Sequence, residues 1–317
     1  MKIFITGGSG FIGTHLIKAL LKLGHSVVNF DKCQSQAYPD LTHIGDIRES
    51  QALIKPLEGI DVIIHLAAEH KDNVTPKSLY YDVNVQGAQN LVDACKINDI
   101  KKIIFTSTVA VYGMDLYDSH ESSDLIPFND YGKSKLQAEQ IFSKWSESQK
   151  DRTLSIVRPT VVFGEGNRGN VYNLMKQVAE NRFIMVGSGQ NRKSIAYVGN
   201  LVEYIVSIIG DSESSIVNYA DKPDLTMEAL IALTNKSLHK KGRRLHIPYW
   251  IGLTGGYLLD LISFVSRKKF PISAIRIKKF CSNSTINTDK LMAQNTKNLV
   301  SLPSAVKATI EHEFIKS

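Results

Sequence analysis

Lys2-Ile3-Phe4-Ile5-Thr6-Gly7-Gly8-Ser9-Gly10-Phe11-Ile12-Gly13 sets a short apolar run directly against glycines spaced G-x-x-G-x-x-G. The run is rich in β-branched and aromatic residues, as a buried strand is, and from His15 onward the apolar residues recur with a helical period. Between a strand and a helix, glycines let the chain turn tightly, let backbone N–H groups and the helix N-terminus approach a pyrophosphate, and let helix and strand pack closely. Asp31 ends the next expected strand, 18 residues after Gly13. A carboxylate there accepts a hydrogen bond from a ribose 2′-hydroxyl and repels a 2′-phosphate, which selects NAD over NADP. Lys32, its neighbour, reads as a solvated loop lysine.

Outward from this turn, short β-branched runs alternate with amphipathic stretches. Strands are expected at Lys2–Thr6, Ser26–Asp31, Asp61–Leu66, Lys102–Ser107 and Leu154–Arg158, and helices at His15–Leu23, Glu49–Leu57, Leu79–Lys96 and Lys133–Trp145. The alternation predicts an α/β fold, a Rossmann-type doubly wound parallel sheet. Beyond Arg158-Pro159 the pattern loosens around the glycines of 164–169 and 187–189. We read residues 1–165 as the NAD-binding domain, receiving further elements from about 190–220. Residues 166–317 are then mostly a smaller, interleaved α/β substrate lobe. No internal repeat or low-complexity segment is visible.

The 317 residues and 43% hydrophobic content suffice for one α/β core with an appended lobe. The three cysteines, Cys33, Cys95 and Cys281, are far apart and lack metal-ligand spacing. They read as reduced thiols, implying no metal and a cytoplasmic setting. The first apolar run is too short for a signal sequence. A formal charge of +7 favours an anionic partner. Its placement says more: Lys240-Lys241-Gly242-Arg243-Arg244 precedes, and Arg267-Lys268-Lys269 follows, the apolar segment Ile247–Val265. These clusters flank an apolar stretch and are not interleaved along a nucleic-acid-reading motif, so no nucleic-acid role is expected. The segment has three readings: a transmembrane span, weakened by Pro248, three glycines and Asp260; a buried helix of the lobe; or an interfacial helix whose Tyr249, Trp250, Tyr257 and flanking cations meet anionic headgroups at the cytoplasmic face of a membrane.

Tyr131 and Lys135 stand four residues apart, so on a helix they share a face. A neighbouring ammonium and a nicotinamide cation both favour the phenolate, making Tyr131 a usable base. Before them the chain reads Phe105-Thr106-Ser107-Thr108-Val109-Ala110-Val111-Tyr112-Gly113. With these residues the chain resembles the extended short-chain dehydrogenase/reductase superfamily, in particular its NAD-dependent sugar epimerases and dehydratases. The resemblance spans nearly the whole chain. It implies that Gly7, Gly10, Phe11, Ile12 and Gly13 hold the pyrophosphate, with Asp31 at the ribose and Asp46 and Ile47 at the adenine. Leu66, Ala67, Ala68, Asn84 and Pro159 would complete the cofactor site. Tyr131 would take the proton while Lys135 anchors the nicotinamide ribose, and Thr108, with Ser107 as second choice, would bond the reacting sugar oxygen.

Dehydratases of this superfamily carry an Asp-Glu pair right after the catalytic Thr. Val109 and Ala110 stand there and cannot exchange a proton, which leaves 4-epimerisation by transient 4-keto oxidation and hydride return. Net reduction or oxidation of a keto-sugar uses the same trio with a released cofactor, and a non-catalytic NAD sensor on the same fold would not need it. The usual tether in the family is a diphosphate, for which Arg168, Asn170 and Lys193 are candidates. Lys193 stands where nucleotide-sugar epimerases have the Arg of an Arg-Asp-aromatic motif, and Asn200 stands in place of a usual Asp. The runs Ala68–Asp72, Ser78–Gly87, Asn167–Leu174, Tyr219–Leu225 and Lys278–Cys281 are similar to bacterial 4-epimerases acting on N-acetylglucosamine linked through diphosphate to undecaprenol. That resemblance implies a lipid-diphosphate sugar of surface-polysaccharide (O-antigen) synthesis, with a soluble UDP-sugar as the rival substrate. Family members often form homodimers.

Overall fold

The computed structural model describes residues 1–71, 74–242, 245–266, 273–294 and 299–315; Asp72, Arg243, Arg244 and Arg267–Lys269 lie outside them. In the first half the chain runs β1 (Lys2–Thr6), α1 (Phe11–Lys22), β2 (Ser26–Asp31), β3 (Thr42–Ile44), α2 (Ser50–Ile54), β4 (Val62–His65), α3 (Ser78–Tyr81), α4 (Gly87–Ile97), β5 (Lys102–Thr106), β6 (Leu116–Ser119) and α5 (Asp130–Glu147). It continues through β7 (Thr153–Pro159), β8 (Val161–Phe163), α6 (Asn170–Ala179), β9 (Met185–Val186), β10 (Arg192–Tyr197), α7 (Val198–Ser207), β11 (Ser215–Tyr219), β12 (Asp221–Thr226) and α8 (Met227–Ser237). The last elements are β13 (His246–Ile247), α9 (Tyr249–Ser266), α10 (Ala274–Cys281), β14 (Ser284–Ile286), α11 (Asp289–Ala293) and α12 (Leu302–Ile310).

Seven strands form an all-parallel sheet in the order β11-β7-β5-β4-β1-β2-β3. Period-2 alternation sends Ile3 and Ile5 to one face and Phe4 to the other, and both faces are covered, which is why these strands read as unbroken apolar runs. On the first face Ile3, Ile5, Ile64 and Val217 pack on Leu16 and Leu20 of α1 and on Leu201 and Ile205 of α7. On the second, Phe4, Ile63, Ile103 and Phe105 pack on Leu91 of α4 and on Ala138, Phe142 and Trp145 of α5. The chain therefore returns to the first core through α7 and β11 after building part of the lobe. Order reverses between β1 and β4, the switch point at which open α/β sheets bind ligands beyond the carboxyl ends of the strands.

The lobe is built on β12-β10-β14-β6, with β8 also paired to β10. Its core joins Phe163, Met175, Leu230, Leu302 and Val306. Strand β6 comes from the first half, so the two units exchange chain in both directions. Three expectations need correction. The helix expected from His15 begins at Phe11, because the glycine turn leads directly into it. The helix expected over Leu79–Lys96 is α3 and α4 joined by a π-helical turn at Asp82–Gln86. Of the apolar segment, Ile247 belongs to β13 and the helix starts at Tyr249.

Among the described residues no helix is long and apolar enough to cross a membrane, so the transmembrane reading of this segment is not supported. The buried reading fails too: Trp250 is 69% exposed and Phe264 83%.

Candidate active site

The glycine turn is shaped by contacts that leave no room for side chains. Gly7 has φ +73°, and a Cβ on it would lie 2.7 Å from the Ala67 nitrogen. A Cβ on Gly13 would lie 2.4 Å from the Gly8 Cα, so Gly13 is what lets α1 close on the turn. On Gly10 a Cβ would meet only the Gly7 oxygen, at 3.2 Å, which leaves that side of the turn open. No side chain caps α1, so its first N–H groups, at Phe11 and Ile12, face the open side with the positive end of the helix dipole. Asp31 borders the same turn, accepting from the Ser9 nitrogen at 3.0 Å and from the Cys33 nitrogen at 3.1 Å. Turn, helix end and carboxylate fit a dinucleotide with a free 2′-hydroxyl.

Leu66 and Ala67 follow β4 and are stitched to Thr6 of β1, the Ala67 nitrogen donating to Thr6 Oγ1 at 3.3 Å and the Leu66 nitrogen to the Thr6 oxygen at 3.0 Å. Ala68 continues that partly buried edge, and Pro159 ends β7 in the core of the sheet. Asp46 is gripped by Arg48 at 2.6 Å, which holds its carboxyl below the usual carboxylate range. Ile47 is buried in the core, with its carbonyl held by Asn90 Nδ2 at 3.0 Å. Asn84, on the π-turn, spends its amide inside the protein. Its Nδ2 donates to the Glu69 oxygen at 3.0 Å and to Ser134 Oγ at 2.9 Å, and its Oδ1 accepts from the Glu69 nitrogen at 2.8 Å. With both donors used, Asn84 ties the loop after β4 to α5 and positions the site; it has no donor left for a cofactor.

The catalytic candidates meet at the start of α5. Asn129 caps this helix, accepting from the Gly132 nitrogen at 2.8 Å. A Cβ on Gly132 would sit 2.6 Å from the Ala110 oxygen, so glycine here lets the first turn of α5 press against residues 109–111. That approach sets the Thr108 side chain beside the Tyr131 phenol. Burial pushes the phenol up to about 12, and the neighbouring Thr108 side chain pulls the other way. Thr108 also accepts from the Ala110 nitrogen at 3.1 Å, so it caps its own turn while facing Tyr131. Ser107 is 3% exposed and its Oγ has no partner among the described residues. A buried hydroxyl without a partner costs free energy unless something docks on it.

One turn along α5, Lys135 is 2% exposed with its Nζ 4.1 Å over the Phe105 ring. Burial lowers its ammonium to about 7, against the attraction of Glu139. His65 stacks on Phe105, with 5.3 Å between ring centroids, and bonds Thr6 Oγ1 at 2.6 Å. Burial and then the Lys135 charge hold it neutral. Behind Lys135, Glu139 forms a buried bidentate pair with Arg158, at 3.0 and 2.6 Å, and Arg158 Nη1 donates to the Tyr112 hydroxyl at 2.8 Å. The sequence reading missed these supports. The i,i+4 spacing of Lys135 and Glu139 was a usable signal for one; Phe105 under the lysine needed the fold.

The tether candidates divide. Lys193, on β10, is partly buried and its Nζ donates to the Lys279 oxygen at 2.8 Å. Burial draws its ammonium down to about 8, against Cys281 and Asp115 nearby. Arg168 is 62% exposed, stacks on Tyr172, and is drawn at 2.8 Å to Glu313, whose carboxylate offsets its charge. Asn170 begins α6 and is exposed. Asn200 is buried and donates to Asp221 at 2.9 Å and to the Val300 oxygen at 2.8 Å, which makes it a joint between α7 and the lobe. Among the described residues no group of acids, histidines and cysteines is placed to hold a metal.

The chain is similar to known proteins. The chain is 45% identical over 99% of its length, and 95% of the relative's, to the N-acetyl-alpha-D-glucosaminyl-diphospho-ditrans,octacis-undecaprenol 4-epimerase of Escherichia coli O157:H7. It is 29% identical to the UDP-glucose 4-epimerase of Vibrio cholerae over 84% of each chain. The crystal structure of UDP-glucuronic acid 4-epimerase from Bacillus cereus in complex with NAD has the same fold, with a TM-score of 0.79, 98% of each chain covered and 23% identity. Residues 3–220 match the profile of the NAD dependent epimerase/dehydratase family. With the family match over residues 3–220 and a near full-length relative at 45% identity, the chain belongs to the NAD dependent epimerase/dehydratase family.

Proposed function

We propose that this protein is an NAD-dependent sugar 4-epimerase that interconverts N-acetylglucosamine and N-acetylgalactosamine on undecaprenyl diphosphate for surface-polysaccharide synthesis. The observation that carries the chemistry is the Tyr131 phenol beside Thr108, one helical turn before buried Lys135, in a sheet whose first turn is shaped for a pyrophosphate. The near full-length relative at 45% identity carries the choice of substrate. Residues 1–165, with about 190–220, hold the cofactor at Gly7, Gly10, Phe11, Ile12, Gly13, Asp31, Asp46 and the 66–68 edge. Residues 166–317 supply most of the substrate lobe.

NAD, held at the glycine turn, would supply the acceptor and donor for the C4 hydride and a positive charge that favours the Tyr131 phenolate. Thr108 receives the C4 hydroxyl and aligns it on the phenol, and Ser107 Oγ takes a second sugar oxygen. Tyr131 accepts the hydroxyl proton as the phenolate, which the Lys135 ammonium stabilises. It returns the proton once the keto-sugar has presented its other face. Lys193 holds the diphosphate while the sugar turns. Val109 and Ala110 carry no acid or base, so the keto-sugar keeps its 6-hydroxyl. The protein works as a homodimer, at the cytoplasmic face of an anionic membrane. A UDP-linked hexose is the second reading, favoured by the likeness to the Vibrio cholerae enzyme.

Tyr131→Phe is the direct test of the chemistry. It is expected to lower turnover ~100- to 10,000-fold while NAD still binds. Turnover within a factor of a few of wild type would overturn the assignment.

A further inference from the structure

Helix α9 is packed inside out. Its protein-facing side carries small residues one turn apart: a Cβ on Gly252 would lie 2.4 Å from Val186 Cγ1, and one on Gly256 would lie 2.9 Å from Ala274 of α10. Asp260, on the same side, accepts from the Ala274 nitrogen at 3.0 Å, so the acid in this apolar stretch is spent at the start of α10. The large side chains point away. Trp250, Tyr257, Leu258, Leu261, Ile262 and Phe264 are each more than 40% exposed and recur at helical spacing along about 21 Å of helix. A helix that stabilised the lobe by hydrophobic burial would be turned the other way round.

We propose that this outward face of α9 docks on an anionic lipid bilayer, lying in the headgroup layer parallel to the membrane. The inference deepens the lipid-linked reading above and rests on it for its purpose. Charge complementarity selects this occupant over a second copy of the chain. Lys278 of α10 stands 5.4 Å over the Tyr257 ring, placing a cation against the apolar row, and Lys241 is exposed before β13. In sequence, Arg243-Arg244 precede β13 and Arg267-Lys268-Lys269 follow Ser266. An apolar row with lysine against it meets acyl chains and acidic headgroups together, whereas two such faces brought together would oppose like charges.

Docking also gives the site a geometry. Tyr249, the first residue of α9, lines a cavity of about 420 Å³ together with Met114, Val186, Lys278, Lys279 and Cys281. Lys193 bonds the Lys279 carbonyl at this cavity's border, and Lys279 stands 4.9 Å over Phe128, just before the Tyr131 turn. A lipid whose diphosphate lies in the headgroup layer would reach these lysines without leaving the bilayer.

The test uses the full chain, vesicles without any sugar lipid, and two readouts. The protein should float with phosphatidylglycerol-containing vesicles and much less with pure phosphatidylcholine. Leu258→Glu with Leu261→Glu should reduce flotation about tenfold or more. The second readout needs no variant. The chain has two tryptophans, and Trp145 is buried in the core, so lipids brominated on the acyl chain should quench the Trp250 share of the emission alone. Wild-type protein that stays in the aqueous fraction would overturn the proposal, as would unquenched emission, or an oligomer that the same double substitution dissociates. Because no sugar is present, this failure would leave the epimerase reading standing. Conversely, flotation would survive a failure to turn over the lipid-linked sugar.

Discussion

A partly buried phenol and a buried ammonium with opposed needs meet at Tyr131 and Lys135. Burial alone leaves a neutral phenol, up at about 12, beside an amine down at about 7, so the ligand-free site resists the charges that catalysis uses. The buried ammonium is therefore a stability cost accepted for function. An ordinary lysine titrates near ~10.4 when unfolded, so between pH 7 and about 10 the unfolded chain binds more protons than the folded one. Stability from this residue rises with pH through that window, and the penalty is complete below pH 7, on the order of several kcal/mol. Lys135→Met is expected to abolish turnover, to raise stability near pH 6.5 and to flatten its rise toward pH 9, as read from urea unfolding at the two pH values. A Lys135→Met protein less stable at pH 6.5 than wild type would refute the burial argument. Ser107 poses the complementary question. Its Oγ is buried without a partner, so Ser107→Ala should leave the melting temperature unchanged or higher while raising KM. A clear loss of stability with unchanged KM would make Ser107 structural.

At the scale of elements, the glycine turn and the start of α5 are the two places where backbone must approach backbone. Gly13→Ala would put a methyl 2.4 Å from the Gly8 Cα, so α1 must shift. Differential scanning calorimetry should show a loss of about 1–3 kcal/mol, and NAD should no longer copurify. Retention of bound NAD would show that this contact does not shape the site. The turn was legible because its mechanism needs glycines in a fixed order, and Lys2–Thr6 and Ser26–Asp31 were expected with the boundaries observed. The π-turn at Asp82–Gln86 was not legible, since its residues keep a helical pattern and only the pull of Asn84 toward Glu69 and Ser134 reveals the extra residue. Strand β3 was missed because Thr42–Ile44 is too short to show a period, and β11, Ser215–Tyr219, falls among the further elements expected from about 190–220 without having been delimited as a strand. At α5, the Tyr131 and Lys135 spacing was legible. The clamp of Gly132 on Ala110, which aims Tyr131 at Thr108, required the fold.

Across the whole molecule, the chain shuttles between its two units: β6 leaves the first half to join the lobe, and α7 and β11 return to the main sheet. The units that carry Tyr131 and Lys193 thus share chain in both directions, which suits a site that must hold a tether still while a sugar turns. Sequence alone placed the charge clusters around 247–265 but left three readings of that stretch; only the packing of Gly252 and Gly256 decides which way α9 faces. The claim that unites cluster, tether and lipid-linked relative is that a diphosphate-linked sugar is inverted at C4. It is tested most directly by incubating purified protein in deuterated water with undecaprenyl-diphosphate N-acetylglucosamine and, separately, with UDP-N-acetylglucosamine, then reading the C4 configuration and its deuterium by mass spectrometry and NMR. The account predicts N-acetylgalactosamine on the undecaprenyl lipid, no deuterium at C4 and no net NADH. Inversion of the UDP-sugar alone, deuterium at C4, or accumulation of NADH would contradict it.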